Sequence, residues 1–298
     1  MKLPTISPDM RDADVEDLIR RVREAIAPEP LPTAVLYHYT DPAGFLGIVG
    51  KRKLYATDAR FMNDTRESRH AFDLLVSGQS DDDMRAALDK LKDQDVVMRH
   101  GCFFTSVSEL PDSLSQWRAY GADGLGFAVG LRASDVGDFH LLRKGDPVDD
   151  VEPSLRQPLR IKVIYCNARK EDLLGIVRQF VAASRQNGPS KKNLFAAAQR
   201  LMTFFAIAFK HDGFSEEREW RLTWVHGHDP KLREWHREFR PTQRHGLAPY
   251  VEWALPTHAI AAVTYGPRNR EETLKVIRIF LNQHDCNGQL YASSLSYR

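Results

Sequence analysis

Hydrophobic residues recur along the chain with two different periods, and the longer period predicts helices. Val15, Leu18, Ile19, Val22 and Ile26 have helical spacing, which predicts an amphipathic helix over 12–27. Prolines at 28, 30 and 32 then end that helix and form a short linker. Asp41 as N-cap and Pro42 in the first turn predict a short helix through Val49. Further helices are predicted over 66–76, 82–93, 113–120, 171–186, 191–210 and 270–283.

Segments with alternating or β-branched and aromatic residues predict strands between these helices. The clearest is 159–165, where apolar and polar positions alternate. The predicted strands are 35–39, 53–57, 101–106, 125–131, 159–165, 219–225, 250–255, 259–265 and 289–293. Because strands and helices are mixed along the whole chain, we predict an α+β fold. No linker divides 33–298, so we predict one domain there, preceded by a helical N-terminal extension at 1–32.

The overall charge excludes a polybasic protein. The 42 Lys and Arg residues nearly balance the 40 Asp and Glu residues, for a net charge of +2. The balance is uneven, because 151–200 has 10 basic and 3 acidic side chains, a net of +7. This basic segment, from Arg156 to Arg200, is either a nucleic-acid contact or a solvated helical face.

The composition also predicts where the protein is located and whether it has disulfides or metal sites. No apolar stretch is long enough to span a membrane, and the N-terminus lacks a signal core, so we expect a cytoplasmic protein with no membrane partner. Three widely spaced cysteines and a loop of four histidines without a metal-binding motif predict no disulfide and no metal site.

Three short segments contain residues suited to ligand binding. The first is His38, followed by Tyr39 and Thr40, at the end of a strand that leads into a helix. Polar groups at such junctions often bind ligands, although a strand histidine is also a common structural residue.

The second segment runs from Gly101 to Gly121. A strand with Phe103 and Phe104 leads to a short helix that contains Ser115, Trp117 and Tyr120. Aromatic faces and a serine hydroxyl suit a flat ring that has an amide group. The alternative is that Trp117 and Tyr120, three residues apart, only pack the helix on the sheet.

The third segment is the acidic start of the predicted strand 219–225. By strand alternation Glu217, Glu219 and Arg221 should share one face. Neighbouring carboxylates raise each other's pKa unless a cation neutralises them, and such groups are candidate functional residues. An exposed ladder of ion pairs is the alternative interpretation. A metal-dependent nuclease is less favoured, because the sequence lacks a lysine close to the glutamates.

In this order the segments resemble the ADP-ribosyltransferase superfamily of the His-Tyr-Glu type, and in particular a bacterial family linked to toxins and phage defence. The resemblance runs from about Leu36 to Tyr297. It rests on the histidine strand, on Phe61-Met62-Asn63-Asp64 with Glu67, on the S-x-S-x-W-x-x-Y-G segment, on E-R-E-W-R and on the closing Y-G-P.

The resemblance implies a split β-sheet that binds NAD as a substrate, without a metal. His38 would contact a ribose, with Tyr39 and Thr40 beside it, and Tyr39 replaces a glycine found in the polymerase branch. Phe103, Phe104 and Ser115 would line the nicotinamide pocket, and either Trp117 or Tyr120 would stack on the ring. Glu219 would be the catalytic residue, with Glu217 as the second candidate.

The expected function is therefore NAD-dependent ADP-ribosyl transfer to a macromolecule, protein or nucleic acid, by a toxin or phage-defence effector. Two alternatives stay open at this point. One is a catalytically inactive nucleotide- or nucleic-acid-binding module on the same fold. The other is a metal-dependent nuclease-like defence enzyme that uses the acidic cluster.

Overall fold

A computed structural model of the chain describes most of its residues. The described residues are 6–28, 34–62, 67–93, 101–142, 157–186, 188, 191–225, 237–242 and 246–297. Several residues named above lie outside these ranges: Pro30 and Pro32 of the predicted linker, Asn63, Asp64, Arg156 of the basic segment, and the four histidines at 226, 228, 236 and 245.

The described chain contains eight α-helices. They are α1 (Asp12–Ile26), α2 (Pro42–Lys51), α3 (Glu67–Val76), α4 (Asp82–Asp93), α5 (Leu114–Ala119), α6 (Asn167–Ser184), α7 (Lys191–Ala208) and α8 (Glu271–Gln283). Each corresponds to a helix that the sequence predicts. None of these helices combines the length and the apolar character that crossing a bilayer requires.

Eleven strands form the sheet in the described residues. They are β1 (Val35–Thr40), β2 (Lys53–Asp58), β3 (Cys102–Ser108), β4 (Phe127–Arg132), β5 (His140–Leu141), β6 (Leu159–Lys162), β7 (Glu219–Val225), β8 (Glu238–Thr242), β9 (Gly246–Ala254), β10 (Ile260–Tyr265) and β11 (Gln289–Ala292). The mixed α+β class, with one large sheet and flanking helices, is therefore confirmed.

The strands follow the order β11-β10-β4-β1-β3-β2-β9-β5, and further strands branch from this path. β7 pairs with β3 along its length, β6 pairs with β7, and β8 pairs with β9. Pairing is antiparallel between the described strands, except that β10 and β11 are parallel. The sheet is therefore mixed and branched.

Helices cover both faces of the sheet, with a separate apolar core on each side. One core packs α1, α3, α4, α6 and α7 against the face of β3 that contains Cys102 and Phe104. The other packs α2 and α8 against the opposite face, around Phe103, Trp220 and Trp253. β3 therefore contributes side chains to both cores, Cys102 and Phe104 to one and Phe103 and Val107 to the other.

Candidate functional site at a fork in the sheet

Two strands, β1 and β2, pair with the same edge of β3 on either side of Ser106. We call this point the fork. β1 pairs with this edge at Ser108, through Tyr37, and β2 pairs with it at Phe104, through Thr57. Continued in register, both strands would place a residue opposite Ser106. Since only one can do so, β1 and β2 diverge there, and the edge of β3 opens.

The imidazole of His38 binds β3 at Ser106, where neither β1 nor β2 pairs with it. Its Nδ1 lies 2.9 Å from the Ser106 carbonyl oxygen, which can only accept, so Nδ1–H is the donor. Burial, with a smaller contribution from nearby Arg240, lowers the pKa of His38 despite the hydrogen bond to Ser106. At neutral pH the ring is therefore uncharged, and its Nε2 is a hydrogen-bond acceptor.

Glu219 approaches the same residue through its side chain. The Ser106 hydroxyl donates to Glu219 Oε1 over 2.6 Å, and Arg221 Nε donates to that oxygen over 2.9 Å. Glu219 is buried, which disfavours its charge, but Arg221, Lys210 and the hydrogen bond from Ser106 outweigh burial and lower its pKa to about 2. A fixed, ionised carboxylate therefore lies beside the fork.

Lys210 joins the two glutamates. Its ammonium group lies 2.5 Å from Glu217 Oε2 and 3.0 Å from Glu219 Oε2, and all three side chains are buried. Its backbone N–H donates to Ile164, and the buried Lys170 donates to its carbonyl oxygen over 2.6 Å. These bonds fix Lys210, the second residue after α7, so the fold sets the position of the ammonium group.

The sequence interpretation missed Lys210, and with it the lysine whose absence counted against a nuclease. A signal was present, because Lys210 directly follows the run from Phe205 to Phe209, which is apolar throughout. A cation directly after such a run is a candidate for a buried ion pair. The glutamates follow only seven and nine residues later.

Glu217 and Glu219 meet for a different reason from the one predicted. Glu217 ends a 3-10 turn over Asp212–Glu217 and is not part of β7. Arg218 lies between them in the left-handed region, with φ of 43°, and interrupts the strand alternation. The argument from alternation was therefore wrong for Glu217, and the two carboxylates come together through Lys210.

The structure separates Trp117 from Tyr120, which spacing alone left as equal candidates. Trp117 is fully buried, its Nε1–H donates to Asp112, and its ring packs edge-on against Tyr39 with centroids 4.8 Å apart. A Cβ on Gly121 would lie 2.5 Å from this ring, which explains the glycine in the segment. Tyr120 is 37% exposed, and its hydroxyl lies 3.4 Å from Glu217 Oε1.

The remaining candidate residues lie around the cluster or within the cores. Tyr39 is buried, and its hydroxyl donates to Leu110 and accepts from the Ser113 N–H. Thr40 ends β1 against Gly44 of α2. Ser115 is half-buried, 3.1 Å from the Ser113 hydroxyl.

Phe103 and Phe104 are both buried, on opposite faces of β3. The ring of Phe104 lies under the guanidinium of Arg221, 4.6 Å from its centre, and supports the cluster from the core side. Phe103 packs against Trp224. The fork thus brings together His38 and Glu219 at Ser106, and Tyr120 at Glu217, whereas Trp117, Phe103 and Phe104 lie in the packed interior.

Several cations of the basic segment already have partners inside the protein. Arg178 binds the Leu74 and Leu75 carbonyl oxygens and Glu171, and Arg200 forms an ion pair with Glu16. Arg185 lies near Asp81 and Asp83. Among the described residues, no group of three or more His, Cys, Asp or Glu side chains could hold a metal ion.

A family model described as "Protein of unknown function (DUF2971)" matches residues 116–222, a little over a third of the chain. The matched segment is similar to that family and contains Tyr120, Lys210, Glu217, Glu219 and Arg221, but it begins after His38 and Ser106. A search of curated proteins and a search of solved structures each found no match.

Proposed function

We propose that this protein is an ADP-ribosyltransferase that uses NAD as its substrate and modifies a macromolecule. The observation that supports the proposal best is the fork at Ser106, where a neutral histidine and an ionised glutamate approach one residue from two strands. An opened sheet edge with these two side chains is what the resemblance to the His-Tyr-Glu superfamily implies.

The chemistry of the two side chains suits cleavage of the bond between nicotinamide and ribose. The electrons of this bond leave with the nicotinamide nitrogen, and positive charge develops on the ribose. Glu219, held ionised, would stabilise this charge, and a preformed anion needs little reorganisation to do so. His38 Nε2 would accept a hydrogen bond from a ribose hydroxyl, and Glu217 would orient or deprotonate the acceptor that forms the new bond.

The same cluster has a feature that favours a second candidate, an inactive binding module. Glu219 is only 4% exposed, and Arg221 and Lys210 both bind its carboxylate. For catalysis, a ribose hydroxyl must displace part of this ion-pair network. If it cannot, the fork binds a nucleotide without turning it over.

Glu219→Gln tests the proposed role of the carboxylate. This substitution keeps the shape and removes the charge, so nicotinamide release should fall about 100- to 1,000-fold. Release is measured with NAD labelled in the nicotinamide, and transfer with NAD labelled in the adenylate. Glu216→Gln is the matched control, because Glu216 is an exposed neighbour in the same turn, and it should leave both rates unchanged.

The outcomes separate the candidates. Native-like release by Glu219→Gln would refute the catalytic assignment. Binding of NAD without release by the unchanged protein would favour the inactive module, and metal-dependent cleavage of nucleic acid would favour the nuclease. Mass spectrometry of labelled macromolecules in expressing cells would identify the acceptor and test the proposed role as a toxin or defence effector.

A further inference from the structure

A second candidate binding surface lies at the edge of the sheet formed by β2, β8 and β9. A groove of about 400 Å³ opens there, separate from the glutamate cluster. We call it the arginine-phenylalanine groove. Its lining residues are Arg60, Phe61, Arg237, Phe239, Leu247 and Pro249.

Two guanidinium groups give the groove its charge. Arg60 forms an ion pair with Asp58, whose side chain is completely buried. Arg237 lies with its guanidinium carbon 5.7 Å from the centre of the Phe103 ring, and its buried Nε has no hydrogen-bond partner among the described residues. Arg60 and Arg237 therefore both bring a guanidinium group to the groove, and among the described residues Asp58 is the acidic partner of Arg60.

Two large apolar side chains of the same groove are exposed. Phe239 is 58% exposed and Leu247 is 54% exposed, on neighbouring strands. A large apolar side chain that is mostly in water contributes little to folding and suits contact with a partner. An exposed ring beside an arginine matches the chemistry of a nucleotide, which presents a flat base next to an anionic phosphate.

We propose that the arginine-phenylalanine groove binds single-stranded nucleic acid, with a base on Phe239 and Leu247 and a phosphate on Arg237. The groove lies along the sheet edge and exposes its apolar side chains, which suits a continuous strand better than an enclosed mononucleotide. It also differs from the basic segment 156–200, where Arg178, Arg185 and Arg200 are already engaged by protein groups.

The binding does not depend on the transfer activity proposed above, since the test contains no NAD. The probe is fluorescein-labelled oligothymidylate of about 20 nucleotides, long enough for several site sizes. Its affinity is measured by anisotropy between about 50 and 200 mM salt. Phe239→Ala should weaken binding about 5- to 100-fold, as expected for the loss of one stacked base.

Arg237→Gln should weaken binding and also reduce the salt dependence. Loss of one phosphate contact should lower the slope of log K against log salt by about 0.7 for a single strand. Matched controls are Tyr291→Ala, an exposed aromatic on β11, and Arg278→Gln, an exposed arginine on α8. Both should bind as the unchanged protein does, and melting curves confirm that each variant is folded.

Three results would overturn the proposal. The first is unchanged affinity in both groove variants. The second is binding of thymidine monophosphate as tightly as the oligonucleotide, which would mean a mononucleotide site. The third is equal competition by polyglutamate, which would mean that charge alone accounts for binding. Glu219→Gln should bind the oligonucleotide normally, so this proposal and the proposed transferase activity can fail separately.

Discussion

Lys210 places one ammonium group between two buried carboxylates, and Arg221 adds a second cation on the side of Glu219. Two carboxylates this close would otherwise repel each other, and one would take up a proton. Because burial removes water from the cluster, each charge depends on its protein partners. Arg221 and then Lys210 lower the pKa of the buried Glu219, and Lys210 also binds Glu217.

Lys210→Met should destabilise the protein substantially, because it leaves two buried carboxylates with one fewer cation. Breaking a buried pair on one side typically costs about 3 kcal/mol in the free energy of unfolding. The matched control is Lys53→Met, which breaks a more exposed pair with Glu252 and should cost less than about 1 kcal/mol. Urea unfolding at neutral pH measures both.

The pH dependence distinguishes this effect from a loss of packing. The pKa of Glu219 is lowered in the folded chain, from 4.5 to about 2, so its ionisation stabilises the fold above the unfolded pKa. That contribution is lost as the pH falls from about 4.5 towards 2. The difference between Lys210→Met and the unchanged protein should therefore shrink over this range. A constant difference would indicate that Lys210 acts through its aliphatic part.

At this scale the sequence predicted His38, Glu219 and Glu217 as site residues, but it missed Lys210 and the role of Ser106. Glu217, Glu219 and Arg221 were found because they are neighbours in the chain. Lys210 was missed although the apolar run before it was a signal in the sequence. The hydroxyl of Ser106 reaches the cluster from another strand, and no local pattern predicts which side chains meet across a sheet. The left-handed conformation of Arg218 also explains why strand alternation was wrong for Glu217. An arginine rarely adopts this conformation, so the sequence does not predict it.

At the scale of the elements, the fork exists because β1 and β2 pair with different positions on the same edge of β3. β1 pairs with β4 along its whole length, but with β3 at a single position. The hydrogen bond from His38 to Ser106 supplies a second connection between β1 and β3. The histidine thus has a structural role whether or not it binds a ligand.

His38→Phe should open the fork without unfolding β1. It removes the hydrogen bond to Ser106, for an expected loss of about 1 kcal/mol in the free energy of unfolding. Hydrogen exchange should become faster around Ser106 and Val107, while β1 stays protected by β4. His258→Phe, at an exposed position, is the control and should change neither region. Fast exchange throughout β1 would show that β3, and not β4, holds this strand in place.

Periodicity predicted the long elements well and the short or irregular ones poorly. β5 has two residues and β8 contains Pro241, so neither has an alternating pattern to detect. The predicted strand 159–165 ends at Lys162 in the structure, and α6 begins at Asn167 instead of 171. The fork itself could not be derived from the sequence, since it depends on which strands share an edge.

Over the whole molecule, α1 is part of one of the two cores. Its buried side chains pack in the same cluster as those of α3, α4, α6 and α7. Glu16 forms an ion pair with Arg200 of α7, and Arg169 of α6 donates to the Ala25 carbonyl oxygen. The sequence analysis predicts from the prolines after the helix that 1–32 is an extension of a domain at 33–298, and this division stays a prediction.

A fragment that begins at residue 29 should therefore fail to fold cooperatively. Burial of one large apolar side chain stabilises by about 1.5–3 kcal/mol, so the five buried in α1 supply about 8–15 kcal/mol. That is comparable to the whole stability of a typical domain, about 5–15 kcal/mol. Leu18→Ala should already cost about 2–5 kcal/mol in urea unfolding, whereas Arg21→Ala, on the exposed face, should cost less than about 0.5. A sharp unfolding transition of the 29–298 fragment would instead show that 33–298 is a domain that folds by itself and that α1 is an extension.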